Sequence, residues 1–205
     1  NSRVRGHILT IEDPIEFVHQ RKSCLISQRE IGMHAPAFAS ALRSALREDP
    51  DVVLVGELRD LETISIAVTA AEMGILVLGT LHTNGAAQTV DRMVNSFPAD
   101  KQAHVRTMLS TSLRGVICQQ LLQRADRNGR VAALEILVNT PAVSNLVRQG
   151  RLDQIESTLQ AGAHAGMRTM DQSIALLLEQ QRITRREAQL RATSKSRFES
   201  GREQG

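Results

Sequence analysis

The chain has 205 residues, 41% of them hydrophobic and 23% charged, with a formal net charge of +3, enough to bury one sizeable core, as one domain or one domain plus a small appendage. No apolar run approaches the ~18 residues of a membrane span, and the opening Asn1-Ser2-Arg3-Val4-Arg5-Gly6 lacks the apolar stretch of a secretory signal, so any membrane contact is expected to be peripheral only. Aromatic residues amount to 2%, with no Trp or Tyr, which leaves little for base stacking and excludes nucleic acid as an expected partner.

Cys24 and Cys118 form no C-x-x-C pair, so neither a disulfide framework nor a zinc module is signalled, and a reducing cytoplasm fits best. Lysine stands only at 22, 101 and 195. The positive charge is therefore nearly all arginine, which suits bidentate contacts to carboxylate and phosphate.

In chain order, the first half alternates short apolar runs with helical patterns, as a parallel α/β sheet does. His7-Ile8-Leu9-Thr10-Ile11 leads into Glu12-Asp13-Pro14. Phe38, Leu42, Ala45 and Leu46 then recur at helical spacing. Asp51-Val52-Val53-Leu54-Val55 leads into Gly56-Glu57, and a helix from Leu61 to Met73 ends at Gly74, a natural C-cap. Ile75 to Leu81 is the third run, ending at His82-Thr83. Each run is short, apolar enough for burial on both faces, and closes on an ionisable group.

Beyond Gly85 the spacing predicts helices over 86–95 and 100–124. A turn at Asp126-Arg127-Asn128-Gly129 and a strand over 130–138 come next, followed by helices capped at Thr140-Pro141, Thr169 and Thr184. The polar stretch from Thr193 to Gly205 has little to bury and is expected to be disordered. The expected division is 1–138, 139–192 and 193–205.

Parallel sheets bind ligands outside the carboxyl ends of their strands, where Glu12, Asp13, Glu16, Glu57 and His82 are expected to converge. Read alone, each element has two readings. Asp51 to Glu57 is either an ordinary buried strand or one whose terminal acid reaches a Mg²⁺ or its water. Glu12, Asp13 and Glu16 form either a solvated acidic turn or a crowded site in which one carboxylate polarises a water. His82 is either structural or a contact to a γ-phosphate. Arg29, Arg43, Arg47 and Arg59 either pair with Glu30, Glu48, Asp49 and Asp60 or act as fingers on a transferring phosphoryl group. No G-x-x-x-x-G-K-[ST] loop occurs, because the two Lys-Ser pairs follow Arg21 and Ser194 and not glycine.

Taken together, the segments resemble the ATPases of type II and type IV secretion. His7 to His19 is similar to their Asp box, Ala45 to Asp60 to their Walker B segment, and Gly79-Thr80-Leu81-His82-Thr83 to their His box, in the family order. The likeness extends to roughly residue 190 and is strongest to the twitching-motility, or pilus retraction, branch. It implies a RecA-like P-loop NTPase core with a parallel-rich sheet, followed by a helical C-terminal region.

It further implies ATP and Mg²⁺ as cofactors, with Glu16, Glu57 and His82 as catalytic groups and Glu57 near the Mg²⁺ through water. Glu12, Asp13, Asp51 and Arg59 would be associated with nucleotide and metal, and Arg29, Arg43 and Arg47 would be candidate arginine fingers. The helix containing Ala142, Asn145, Leu146 and Arg148 is similar to the family's retraction helix, with Ser144 and Gln149 replacing an arginine and a glutamate.

The implied setting is a homo-hexamer at the cytoplasmic face of the inner membrane, against a pilus platform protein and with a possible second retraction ATPase. The phosphate loop is expected upstream of Asn1, and residues 1–205 are expected to be inactive alone. Two alternatives stand beside the retraction motor. One is an extension or type II secretion ATPase, whose four-cysteine module this chain lacks. The other is a catalytically silent ring subunit.

Overall fold

The computed structural model describes residues 1–198. The chain divides into two compact units, one made of Asn1–His82 with Arg92–Leu113, the other of Thr83–Asp91 with Arg114 onward.

The first unit is built on a four-stranded sheet of β1 (His7–Glu12), β2 (Leu25–Glu30), β3 (Val52–Val55) and β4 (Leu76–Gly79). The order is β2-β1-β3-β4 and every neighbouring pair is parallel. The registers align Ile8 with Ile26 and Val52, and Val52 with Leu76. Leu9, Ile11, Val53 and Val55 are fully buried, as central strands covered on both faces must be.

Helix α1 (Phe38–Ala45) buries Ala39, Ala41, Leu42 and Ala45, and α2 (Leu61–Glu72) buries Thr63, Ile64, Ala67, Val68 and Ala70. Asp60 starts α2 by accepting hydrogen bonds from Thr63 N at 2.8 Å and Thr63 Oγ1 at 2.9 Å, which satisfies an N–H that the helix cannot pair internally. Gly74, at φ +99°, follows its end, where a β-carbon would be strained. Helices α3 (Ala86–Asn95) and α4 (Ala99–Ser112) follow β4 in the chain.

The second unit contains an antiparallel hairpin, β5 (Gly115–Gln123) and β6 (Arg130–Val138), with Gly115 opposite Val138 and Gln123 opposite Arg130. Four helices follow: α5 (Pro141–Gln149), α6 (Ile155–Ala161), α7 (Met170–Glu179) and α8 (Arg185–Arg191). Thr140, Thr169 and Thr184 cap α5, α7 and α8 as the sequence predicts.

Three expectations need correction. The helix expected over 100–124 ends at Ser112, and 115–123 is a strand. Val116, Cys118 and Leu122 point inward on alternate positions while Ile117, Gln119 and Leu121 face out, a period of two that no helix produces. The units do not part at 138: β5 and β6 fall in the second unit with Thr83–Asp91, and the hairpin pairs with itself and not with the parallel sheet. Disorder expected from Thr193 does not begin there. Asp171 accepts from Thr193 N at 2.8 Å and Ser194 N at 2.9 Å, and a 3₁₀ turn over Lys195–Phe198 buries Phe198. The rest of that stretch lies outside the described residues.

Candidate functional site

Two glycines and a leucine set the geometry at the carboxyl ends of β3 and β4. Gly56 N donates to Ile11 O at 2.8 Å, and a β-carbon on Gly56 would lie 3.1 Å from that same oxygen. Leu58 is buried and packs on Gly79, where a β-carbon would come within 2.6 Å of Leu58 Cδ1. Leu58 N donates to Thr80 O at 2.9 Å, and Thr80 Oγ1 donates back to Gly56 O. Residues 56–58 are thereby stitched over the end of β4.

Glu57 is presented by this stitch. Its Oε2 lies 2.6 Å from Arg59 Nε and its Oε1 2.9 Å from His82 Nε2. The Glu57 side chain is only 18% exposed, against 62% for Arg59 and 81% for His82, so the carboxylate is the inner member of the group. The hydrogen bond from Arg59 holds its pKa below the usual glutamate value; partial burial works against this, and the charges of Arg59 and His82 add to it. The group at the strand ends is a fixed anion between two outer donors.

A second stitch holds the segment carrying Glu16. After Glu12 the chain passes through a cis Asp13–Pro14 bond. Glu30 Oε2, at the end of β2, accepts from Ile15 N at 3.0 Å. Gln28 accepts from His19 N at 2.8 Å and donates to Phe17 O at 3.0 Å and Glu12 Oε1 at 3.1 Å. Residues on both sides of Glu16 are thus tied to β2, while Asp13 and Glu16 themselves are exposed. Sequence reasoning missed Gln28 and Glu30, and also Leu58 and Thr80. The glycines beside Glu57 and Thr80 were the available signal for the latter pair.

The structure therefore brings Glu57, Arg59 and His82 together, and leaves Glu12 engaged with Thr10 and Gln28. Asp51 needs correction. It stands at the amino end of β3, the opposite end from Glu57, and its Oδ2 accepts from His7 N at 2.7 Å. That carboxylate fastens the start of β1. Arg29 pairs with Glu48 and Arg43 with Glu62, while Arg47 is exposed.

Among the described residues no group of three or more His, Cys, Asp or Glu side chains forms a cage for a metal. A single ionised carboxylate nevertheless suits Mg²⁺, which keeps most of its waters and takes one or two carboxylates together with substrate phosphates. Glu57 fits that requirement. In the second unit, α5 buries Val143 and Val147 completely and exposes Ala142, Asn145 and Arg148, with Leu146 half-buried. Gly150 ends the helix at φ +71°.

The family model described as type II/IV secretion system protein matches residues 1–203. The twitching motility protein of Neisseria gonorrhoeae is 59% identical over 192 residues, covering 94% of this chain and 51% of that protein. The type IV pilus retraction ATPase PilT of Pseudomonas aeruginosa is 53% identical over 198 residues, 97% of this chain and 57% of its own length. A crystal structure of the pilus retraction motor PilT with bound ADP superposes with a TM-score of 0.88 at 44% identity, over 96% of this chain and 55% of that one. The chain spans about half the length of the relatives it matches. With its parallel sheet, its Glu57–Arg59–His82 group and these likenesses together, the chain belongs to the type II/IV secretion system protein family.

Proposed function

We propose that the complete protein is an ATP-hydrolysing motor that powers type IV pilus retraction, and that this chain supplies the water-activating end of its site. The observation that carries the reading is the carboxylate of Glu57, ionised and hydrogen-bonded between Arg59 and His82 at the ends of adjacent parallel strands. Support for the direction of the motor comes from relatives named for twitching motility and pilus retraction. The lack of any C-x-x-C pair argues against the extension and type II secretion motors.

When bound, Mg²⁺–ATP brings the phosphoryl group whose charge this end of the site must offset. Glu57 would hold the ion through one of its waters. A carboxylate has about four lone-pair sites, and Arg59 and His82 use two, so Glu57 keeps acceptor capacity for water. Glu16, on its tethered loop, orients the attacking water and takes its proton. His82, at the outer edge, faces the γ-phosphate. Arg47, exposed on the surface, is available to a neighbouring subunit's site, whereas Arg43 would first have to leave Glu62 and Arg29 to leave Glu48. A homo-hexameric ring at the cytoplasmic face of the inner membrane, turning against a pilus platform protein through the outer face of α5, completes the proposal. No helix among the described residues is long and apolar enough to cross a membrane.

Cells lacking the protein should accumulate surface pili and lose twitching, and a Glu57→Gln copy should fail to restore it. Loss of pili in the deletion would instead assign extension. Normal piliation and motility in the deletion would favour a silent subunit.

A further inference from the structure

Glu135 is the half-buried carboxylate of β6, and it lies at the starts of two helices at once. Its Oε1 accepts from Ala86 N, the first residue of α3, at 2.8 Å. Its Oε2 accepts from Met170 N, the first residue of α7, at 3.3 Å. The two helices differ in what they have without it. α7 carries its own capping box, Thr169 with Gln172, and is bridged to β6 by paired hydrogen bonds between Ile136 and Arg168 at 2.8 and 3.0 Å. α3 is preceded by Gly85, which has no side chain to cap with, so its first N–H depends on a carboxylate 49 residues away.

The segment entering α3 is also knitted to itself, and Thr89 Oγ1 meets Cys118 Sγ of β5 at 3.9 Å. Thr89 N and Thr89 Oγ1 both donate to Gly85 O at 2.9 Å, and the Thr83 and Thr89 hydroxyls are 2.7 Å apart. A carboxylate at a helix N-terminus satisfies an orphan donor and meets the positive end of the helix dipole. It does so here four residues after His82 in the chain, where Gly85 supplies no side chain as a cap.

We propose that Glu135 is a positioning residue for hydrolysis: by capping α3 from β6, it fixes the turn over residues 83–86 that follows His82, and so the aim of His82 at the reacting phosphate. The inference rests on the hydrolytic reading of Glu57 and His82 given above. Misplacement of a catalytic group by about 1 Å can cost up to ~100-fold in rate. Loss of this cap should therefore act on turnover and not on nucleotide affinity.

The test uses the full-length protein and three substitutions, Glu135→Ala, Glu135→Gln and Thr169→Ala, with Mg²⁺–ATP kinetics and amide hydrogen exchange. Glu135→Ala is expected to lower kcat by about tenfold with KM changed less than about threefold, and to speed exchange over residues 83–89. Glu135→Gln, which keeps one acceptor oxygen, should fall between it and wild type. Thr169→Ala removes the cap that α7 owns. It should speed exchange near residues 169–173 and leave kcat within about twofold.

Equal losses of kcat in Thr169→Ala and Glu135→Ala would overturn the inference in favour of general loosening of the second unit. So would unchanged kcat per folded molecule in Glu135→Ala, or unchanged exchange over 83–89. Turnover at the wild-type rate in Glu135→Ala with its loss in Glu57→Gln sinks this inference alone, whereas absence of turnover in the wild type overturns both readings.

Discussion

Glu57 gains its character from its two neighbours. Arg59 lowers its pKa chiefly by hydrogen bonding and His82 adds to the effect by charge, so the folded state favours the anion. A depressed carboxylate contributes stability above its unfolded pKa, and that contribution is lost as pH falls through the folded value. The gap in thermal midpoint between wild type and Glu57→Gln should therefore be open at neutral pH and close as pH falls below the ordinary glutamate value of 4.5. A gap that widened in acid would contradict the assignment. At the amino end of the sheet a different residue carries the local order. A β-carbon on Gly6 would lie 2.4 Å from Asp51 Oδ2, so Gly6→Ala should displace the carboxylate that holds His7 N. Thermal melting of that variant should show a loss of about 1–3 kcal/mol, the range for overpacking, with nucleotide affinity unchanged because Asp51 is remote from Glu57.

Among the elements, α5 combines a buried face with the exposed face proposed to act in retraction. Val143 and Val147 face the core, Thr140 caps the start and Gly150 ends it in a left-handed conformation. Thr140→Ala should lower stability by about 1 kcal/mol. Asn145→Ala, on the exposed side, should stay within about 0.5 kcal/mol of wild type while twitching falls; the pair is read by chemical denaturation and by colony spreading. Legibility differs among the strands for physical reasons. β1, β3 and β4 are apolar runs that the sequence displays plainly. β2 reads Leu25-Ile26-Ser27-Gln28-Arg29-Glu30, polar over its last four residues, because Gln28 and Glu30 serve the Glu16 loop. β5 was masked by the helix before it. Val105, Leu109, Leu113 and Val116 are spaced by four, four and three, which continues a helical stripe across the point where the chain turns into a strand. The site was legible at Glu57 and His82, which end apolar runs. Asp51 was misplaced because an acid before a strand and an acid after it look alike in a motif, yet they lie at opposite ends of the sheet.

For the whole molecule, the proposed ATPase site divides into a phosphate grip and a water-activating end. Residues 1–205 hold Glu16, Glu57 and His82 and contain no G-x-x-x-x-G-K-[ST] loop, so this stretch purified alone should show no ATP turnover above background; robust hydrolysis by it would contradict the division. The most direct test is ATP hydrolysis by the full-length protein with Mg²⁺, measured beside nucleotide binding for wild type and Glu57→Gln. The substitution is expected to lower kcat by about 100-fold or more, as loss of a residue acting in the transition state does, and to leave nucleotide affinity within a few-fold. Hydrolysis at the wild-type rate in Glu57→Gln would contradict it.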